Sequence, residues 1–120
     1  MKKHSILVLT GLSLIFLLST ASAPIQVLKT KLHVTVVDDL GNPVEGASIT
    51  IFSSAKDYEN NSNKLIEGKS NKKGIYKFKG LETKPYFLDV RKDKLKNDGE
   101  GVQTGSLAKG KINKVIVVLR

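Results

Sequence analysis

Two neighbouring stretches of the chain alternate between apolar and polar residues. In residues 32–37 and again in 47–52, every second residue is apolar. A period of two puts successive side chains on opposite faces of a strand, so each stretch predicts a strand with one buried face. The intervening residues 38–43, Asp-Asp-Leu-Gly-Asn-Pro, favour a tight turn, because Gly41 tolerates positive φ and Pro43 lacks a backbone donor. Together the two stretches predict a β-hairpin over residues 34–52.

The same alternation continues downstream. Residues 75–79 and 86–91 each place aromatic and aliphatic side chains on one face, and weaker strands are predicted over 64–70 and 102–107. The β-branched run 112–119 is typical of a central strand that is covered on both sides. No stretch shows a helical period, and the resulting set of about seven short strands predicts an all-β sandwich. The predicted core consists of Val34, Val36, Ile49, Ile51, Phe78, Tyr86, Leu88, Val90, Val115 and Val117.

The first 23 residues have the three parts of a secretory signal. Two lysines precede the apolar run 6–18, and small residues follow it in 19–23. The apolar run is shorter than the roughly 20 residues that a membrane span needs. We expect a signal peptide over residues 1–21, with cleavage after Ala21 or Ala23, then a linker over 22–30 and one domain over 31–120. An uncleaved membrane anchor is the alternative.

Two sequence blocks carry a family resemblance. The run Val36 to Ile49, V-V-D-D-L-G-N-P-V-E-G-A-S-I, resembles the opening of carboxypeptidase regulatory-like domains. The run Ser70 to Leu81, followed by Tyr86 to Val90, resembles the later part of the same family, although Lys84-Pro85 replaces its Gly-x before the tyrosine. The resemblance implies a transthyretin-like or Ig-like, seven-strand Greek-key β-sandwich. It also implies an accessory module of an exported or outer-membrane protein.

Residue types exclude several chemistries. The chain has no cysteine, so disulfides, thiol nucleophiles and Cys-ligated metals are absent. His33 is the one histidine beyond the signal, too few for a transthyretin-related hydrolase site or an intradiol-type iron site, and we expect it on the outer face of the first strand. A Lys31–Asn113 crosslink of the Cna B type is disfavoured because Lys31 lies upstream of the turn. A calcium loop of Asp93, Asp98 and Glu100 is disfavoured by its spacing. We expect no catalytic residue, cofactor or metal.

The net positive charge and one polar loop are the remaining sequence features that could indicate a binding function. Beyond the signal the chain has 18 basic and 11 acidic residues, a net charge of +7. A solubilising surface is the simplest interpretation. Alternatively, a single basic face binds a polyanion through Lys77, Lys79, Arg91, Lys92, Lys94 and Lys96. The polar loop 53–63 is a second candidate recognition site, through Lys56, Tyr58 and Asn60.

These observations predict a secreted or periplasmic, non-catalytic β-sandwich module that recognises a protein or glycan partner in the cell envelope. The alternatives are a polyanion-binding protein and, less favoured, a hydrolase. The partner and the oligomeric state are not predicted.

Overall fold

The computed structural model describes residues 29–97 and 102–120. The predicted signal peptide and nearly all of the predicted linker lie outside the described residues, as do Asp98 and Glu100. Within these residues, seven strands form two packed sheets, and one short helix lies in the connection between the second and third strands. They are β1 Lys31–Asp38, β2 Ser48–Phe52, α1 Ala55–Asn60, β3 Ile66–Lys69, β4 Ile75–Lys79, β5 Phe87–Lys92, β6 Leu95–Lys96 and β7 Ile112–Leu119.

The strands form a three-stranded sheet in the order β4-β1-β7 and a four-stranded sheet in the order β3-β2-β5-β6. β1 runs antiparallel to β4 and parallel to β7, and every pairing within the four-stranded sheet is antiparallel. The all-β, seven-strand sandwich predicted from the sequence is confirmed.

The predicted hairpin between β1 and β2 is wrong, because the two strands lie in different sheets. The turn itself forms: the Gly41 N–H donates to the Asp38 carbonyl, and a bridge joins Val37 to Pro43. The chain then crosses from the first sheet to the second at Gly46, whose φ is +75°. The Ser70 hydroxyl binds the backbone on both sides of this glycine. It accepts from the Ala47 N–H at 2.9 Å and donates to the Val44 carbonyl at 2.6 Å. The alternating pattern predicts which face of a strand is buried, but it does not predict which other strand will pair with it.

Two further predictions about secondary structure are corrected. β7 is a terminal strand in its sheet order, not a central one, and Ile112 and Ile116 on its outer side are 52% and 67% exposed. The loop 53–63 contains α1, which begins at the N-cap Ser54, whose hydroxyl accepts from the Asp57 N–H. One and a half turns are too short to show a helical period in the sequence.

The predicted strand over 102–107 is reduced to a bridge between Phe87 and Gln103. This segment and β6 share one edge of β5, and Asn97 lies between them. Its buried side chain accepts from the Val90 N–H at 3.1 Å and donates to the Leu88 carbonyl at 2.9 Å. An amide side chain therefore supplies the ladder hydrogen bonds that the chain omits there.

The predicted core is confirmed. Nine of its ten residues are at most 2% exposed, and Val115 is partly buried against them. Tyr76 packs over Gly68, where a Cβ would overlap its ring. The Tyr86 hydroxyl accepts from the Glu82 N–H at 2.9 Å, an arrangement like the tyrosine corner of Greek-key sandwiches.

Phe78 provides the test of this packing. It is 2% exposed, lies opposite Leu32 and has its ring centroid 4.5 Å from that of Tyr76. Phe78→Ala should lower the free energy of unfolding by about 3–5 kcal/mol, because it removes a large apolar side chain and leaves a cavity. Urea unfolding followed by circular dichroism measures this. Lys77→Ala, one residue away and exposed, is the control, and equal stability of the two variants would contradict the register.

Candidate binding surfaces

The six basic residues predicted to form one face are divided among three places. Lys77 and Lys79 lie on the outer face of the three-stranded sheet, whereas Arg91 lies on the outer face of the four-stranded sheet. β4 and β5 are consecutive in the chain but belong to opposite layers. Equal outward parity therefore directs their side chains to opposite sides of the molecule, and the single face is not formed.

The remaining members surround the β5–β6 turn. Lys96 lies beside Arg91 in the β5–β6 pairing, and Lys94 is exposed in the turn. Lys92 has inward parity at the end of the sandwich, with its ammonium close to Gly46. The structure therefore brings Arg91 and Lys96 together.

Carboxylates accompany the basic groups on the outer face of the four-stranded sheet. Arg91 Nε lies 3.0 Å from Asp89 Oδ1, and Lys64 Nζ lies 3.1 Å from Glu67 Oε1. A polar depression of about 250 Å³ opens here, lined by Tyr58, Glu59, Asn61, Asp89, Arg91 and Lys96. Its mixed charge suits an ordinary solvated surface better than a polyanion site.

A different set of basic residues comes together on the three-stranded sheet. Strand register places Lys79 beside Lys31 in one row, and Lys77, His33 and Lys114 in the next row. We call these five residues the basic face. Two of them, Lys77 and Lys79, were in the predicted set. The other three have the right parity in the sequence, but only the pairing of β1 with both β4 and β7 makes them neighbours.

Apolar residues occupy most of the remaining outer positions of this sheet, including Ile112, which lies beside Lys31 in the first row and is 52% exposed. The third row contains Ile75, Thr35 and Ile116, and beyond it Val37 lies opposite Val118. The outer surface of the sheet therefore changes from mainly basic to mainly apolar along the strands.

His33 lies at the centre of the basic face, on the outer side of β1 as the sequence predicts. Burial lowers the pKa of its imidazole, and the positive charges of Lys77, Lys114 and Lys31 lower it further. Both effects disfavour the imidazolium ion.

The candidate recognition loop is partly structural. Tyr58 of α1 packs edge-on against the buried Phe52, with ring centroids 5.8 Å apart, and lies 6.4 Å from the ring of Phe87. The ring therefore helps to cover an apolar residue on the outer face of β2. Lys56 and Asn60 are exposed on the same helix. A lone tyrosine in a polar loop gave no signal that it would cover Phe52.

The disfavoured crosslink lacks the necessary geometry. Lys31 points outward, whereas Asn113 has the inward parity of Leu32, its partner across the ladder. The Asn113 amide accepts from the Ala108 N–H at 2.7 Å and donates to the Lys31 carbonyl at 3.1 Å. Asn113 thus fastens the turn before β7 to the start of β1.

The described ranges hold no group of three or more His, Cys, Asp or Glu side chains that could bind a metal ion. Within those same residues, no helix is long and apolar enough to cross a membrane.

The fold is similar to part of several solved structures. The chain is similar to the Bacillus anthracis TIE protein, at 25% identity and a TM-score of 0.57, over 78% of this chain and 16% of that one. It is also similar to a streptococcal ancillary pilin, at 17% identity and a TM-score of 0.58, over 77% of this chain and 32% of the pilin. A third match is the group B streptococcus pilus 2b backbone protein, at 14% identity and a TM-score of 0.54, over 79% of this chain and 42% of that protein.

The chain therefore spans less than half the length of each of these proteins. No family model matches the sequence, and no curated protein matches it.

His33 makes the stability of the fold depend on pH. Its pKa in the folded state is below the unperturbed value of 6.5, so the unfolded state binds more protons as the pH falls through this region. The free energy of unfolding should therefore fall with acidification below about pH 6.5. His33→Gln should show a shallower fall when urea unfolding is compared between about pH 7 and 5. A steeper fall in the variant would contradict the lowered pKa.

A substitution at Tyr58 tests whether its ring stabilises the fold by covering Phe52. Tyr58→Ala should lower the free energy of unfolding by about 1–2 kcal/mol, because Phe52 and Phe87 lose an aromatic neighbour. Lys56→Ala, on the same helix and exposed, should change it by less than about 0.5 kcal/mol. Thermal unfolding of both variants measures the difference, and equal melting temperatures would argue against the covering role.

Proposed function

We infer that this chain is an exported, non-catalytic β-sandwich module that works in the cell envelope or on the cell surface, by binding a protein or glycan partner. The observation that carries the proposal is the fold likeness. About four-fifths of this chain superimposes on part of proteins whose names identify them as an ancillary pilin and a pilus backbone protein. The carboxypeptidase regulatory-like resemblance of residues 36–49 and 70–90 is consistent with the same kind of accessory module.

The organisation of the surface supports a binding role. The core is filled by strand residues, while the outer face of the three-stranded sheet presents a row of basic residues next to exposed apolar ones. A protein surface ordinarily intersperses charges of both signs, so a sheet face whose charges are all positive favours a binding role.

Export is tested on intact cells that make the protein. Protease added outside the cells should degrade it while a cytoplasmic marker in the same cells remains whole. Mass spectrometry of the mature protein should find a terminus at residue 22 or 24. A protein that resists the protease until the cells are lysed, and that retains Met1, would overturn the proposed location.

A further inference from the structure

The basic face lacks counter-charges. None of the outward positions of β1, β4 and β7 carries a carboxylate, and four of them carry lysine. The basic character continues at the end of the sheet where β1 begins, since Lys29, Lys109 and Lys111 are exposed there. The Lys31 N–H donates to the Lys111 carbonyl at 3.0 Å, which joins this end to the face. Glu82, in the loop after β4, places a carboxylate at the same end.

This arrangement is unfavourable for the isolated protein. Like charges on directly opposed strand positions destabilise a sheet by up to about 1 kcal/mol per pair, and Lys31–Lys79 is such a pair. In the next row Lys77 and Lys114 lie on either side of His33, two strands apart. Burial and the neighbouring lysines lower the pKa of the His33 imidazole, which disfavours a further positive charge in this row. An anion bound over these rows would remove the repulsion and supply the missing negative charge.

The chemistry of the face indicates the kind of anion. Its permanent charges are all lysines, whose ammonium groups bind phosphate as point charges and need no fixed bidentate geometry. Neighbouring strands are about 4.8 Å apart, and alternate residues along a strand about 7 Å apart. The charges therefore form a flat lattice that can contact successive groups of an extended polymer. Apart from the half-buried His33 imidazole, none of the five side chains carries a ring, so the face lacks the series of aromatic side chains on which successive bases stack.

The placement of the apolar residues on this sheet argues against a lipid bilayer as the binding partner. A membrane-binding surface needs apolar side chains that insert, with basic ones around them. Here Ile112 and Ile116, the two exposed isoleucines of the sheet, are separated on the outer side of β7 by Lys114 and so do not form one apolar patch that could insert. Basic residues continue at the end where β1 begins, with Lys29 and Lys111.

We propose that the basic face, Lys31, His33, Lys77, Lys79 and Lys114, binds a linear phosphate-bearing polymer that lies across β4, β1 and β7. The proposal rests on the surface-module function above and names its partner class.

Binding is tested by isothermal titration of the purified protein with linear inorganic polyphosphate. If four lysines contact the polymer, the affinity should fall roughly 50-fold between about 50 and 200 mM salt. Lys77→Gln with Lys114→Gln should reduce the slope of log affinity against log salt by about 1.4, because two contacts are lost. The control is Lys56→Gln with Lys69→Gln, which removes the same charge from exposed positions elsewhere and should leave the slope unchanged.

His33 supplies a local readout. A bound phosphate should raise the pKa of the His33 imidazole, observed by NMR titration with and without polyphosphate, because a nearby anion favours the imidazolium ion. Binding that leaves this pKa unmoved, or that the control pair weakens as much as the face pair, would overturn the proposal. Tighter binding of polyglutamate or of anionic vesicles than of polyphosphate would overturn it in favour of an acidic protein or a membrane. These results do not depend on where the cell places the protein, so failure here leaves the test of export intact.

Discussion

The pairing of the first strand with the last determines the rest of the structure. β1 and β7 run parallel over eight residue pairs, and β4 closes the other edge of β1. β1 is the central strand of its sheet, and Leu32, Val34 and Val36 on its inner side are fully buried. Because parallel neighbours need a long connection, every other strand must be placed within the crossover between β1 and β7. The chain uses it to build the whole second sheet.

Polar side chains hold the chain at the places where it leaves the ladders. Ser70 secures the crossing from β1 to β2, Asn97 fills the gap along β5, and Asn113 fastens the start of β7 to β1. Thr104 has a similar role, since its hydroxyl accepts from the Tyr86 N–H at 2.9 Å. In a chain without cysteine, these short side chains take the position-fixing role that disulfides have in many small exported domains. Each one replaces a backbone partner that a turn or crossing has removed.

The same pairing creates the surface that distinguishes this molecule. β1 lies between two strands that each contribute lysines to its outer side, so charges distant in sequence become neighbours around His33. The four-stranded sheet differs, because its outer face has Asp89 and Glu67 beside basic groups. The two layers of the sandwich thus share one core and present surfaces of different electrostatic character.

The sequence by itself determined which residues are buried. Alternation with a period of two identified the inner faces of β1, β2, β4 and β5, since burial of one face is a local property that every strand carries in its own pattern. It also determined the all-β class and the turn at residues 38–43. The tertiary structure decided which strands are partners, and this separated β1 from β2 and divided Lys77 from Arg91. It also placed Tyr58 against Phe52, and gathered Lys31, His33 and Lys114. The physical reason is that strand pairing depends on backbone hydrogen bonds, which are alike for all residues, so the choice of partner is made by the packing of the whole chain.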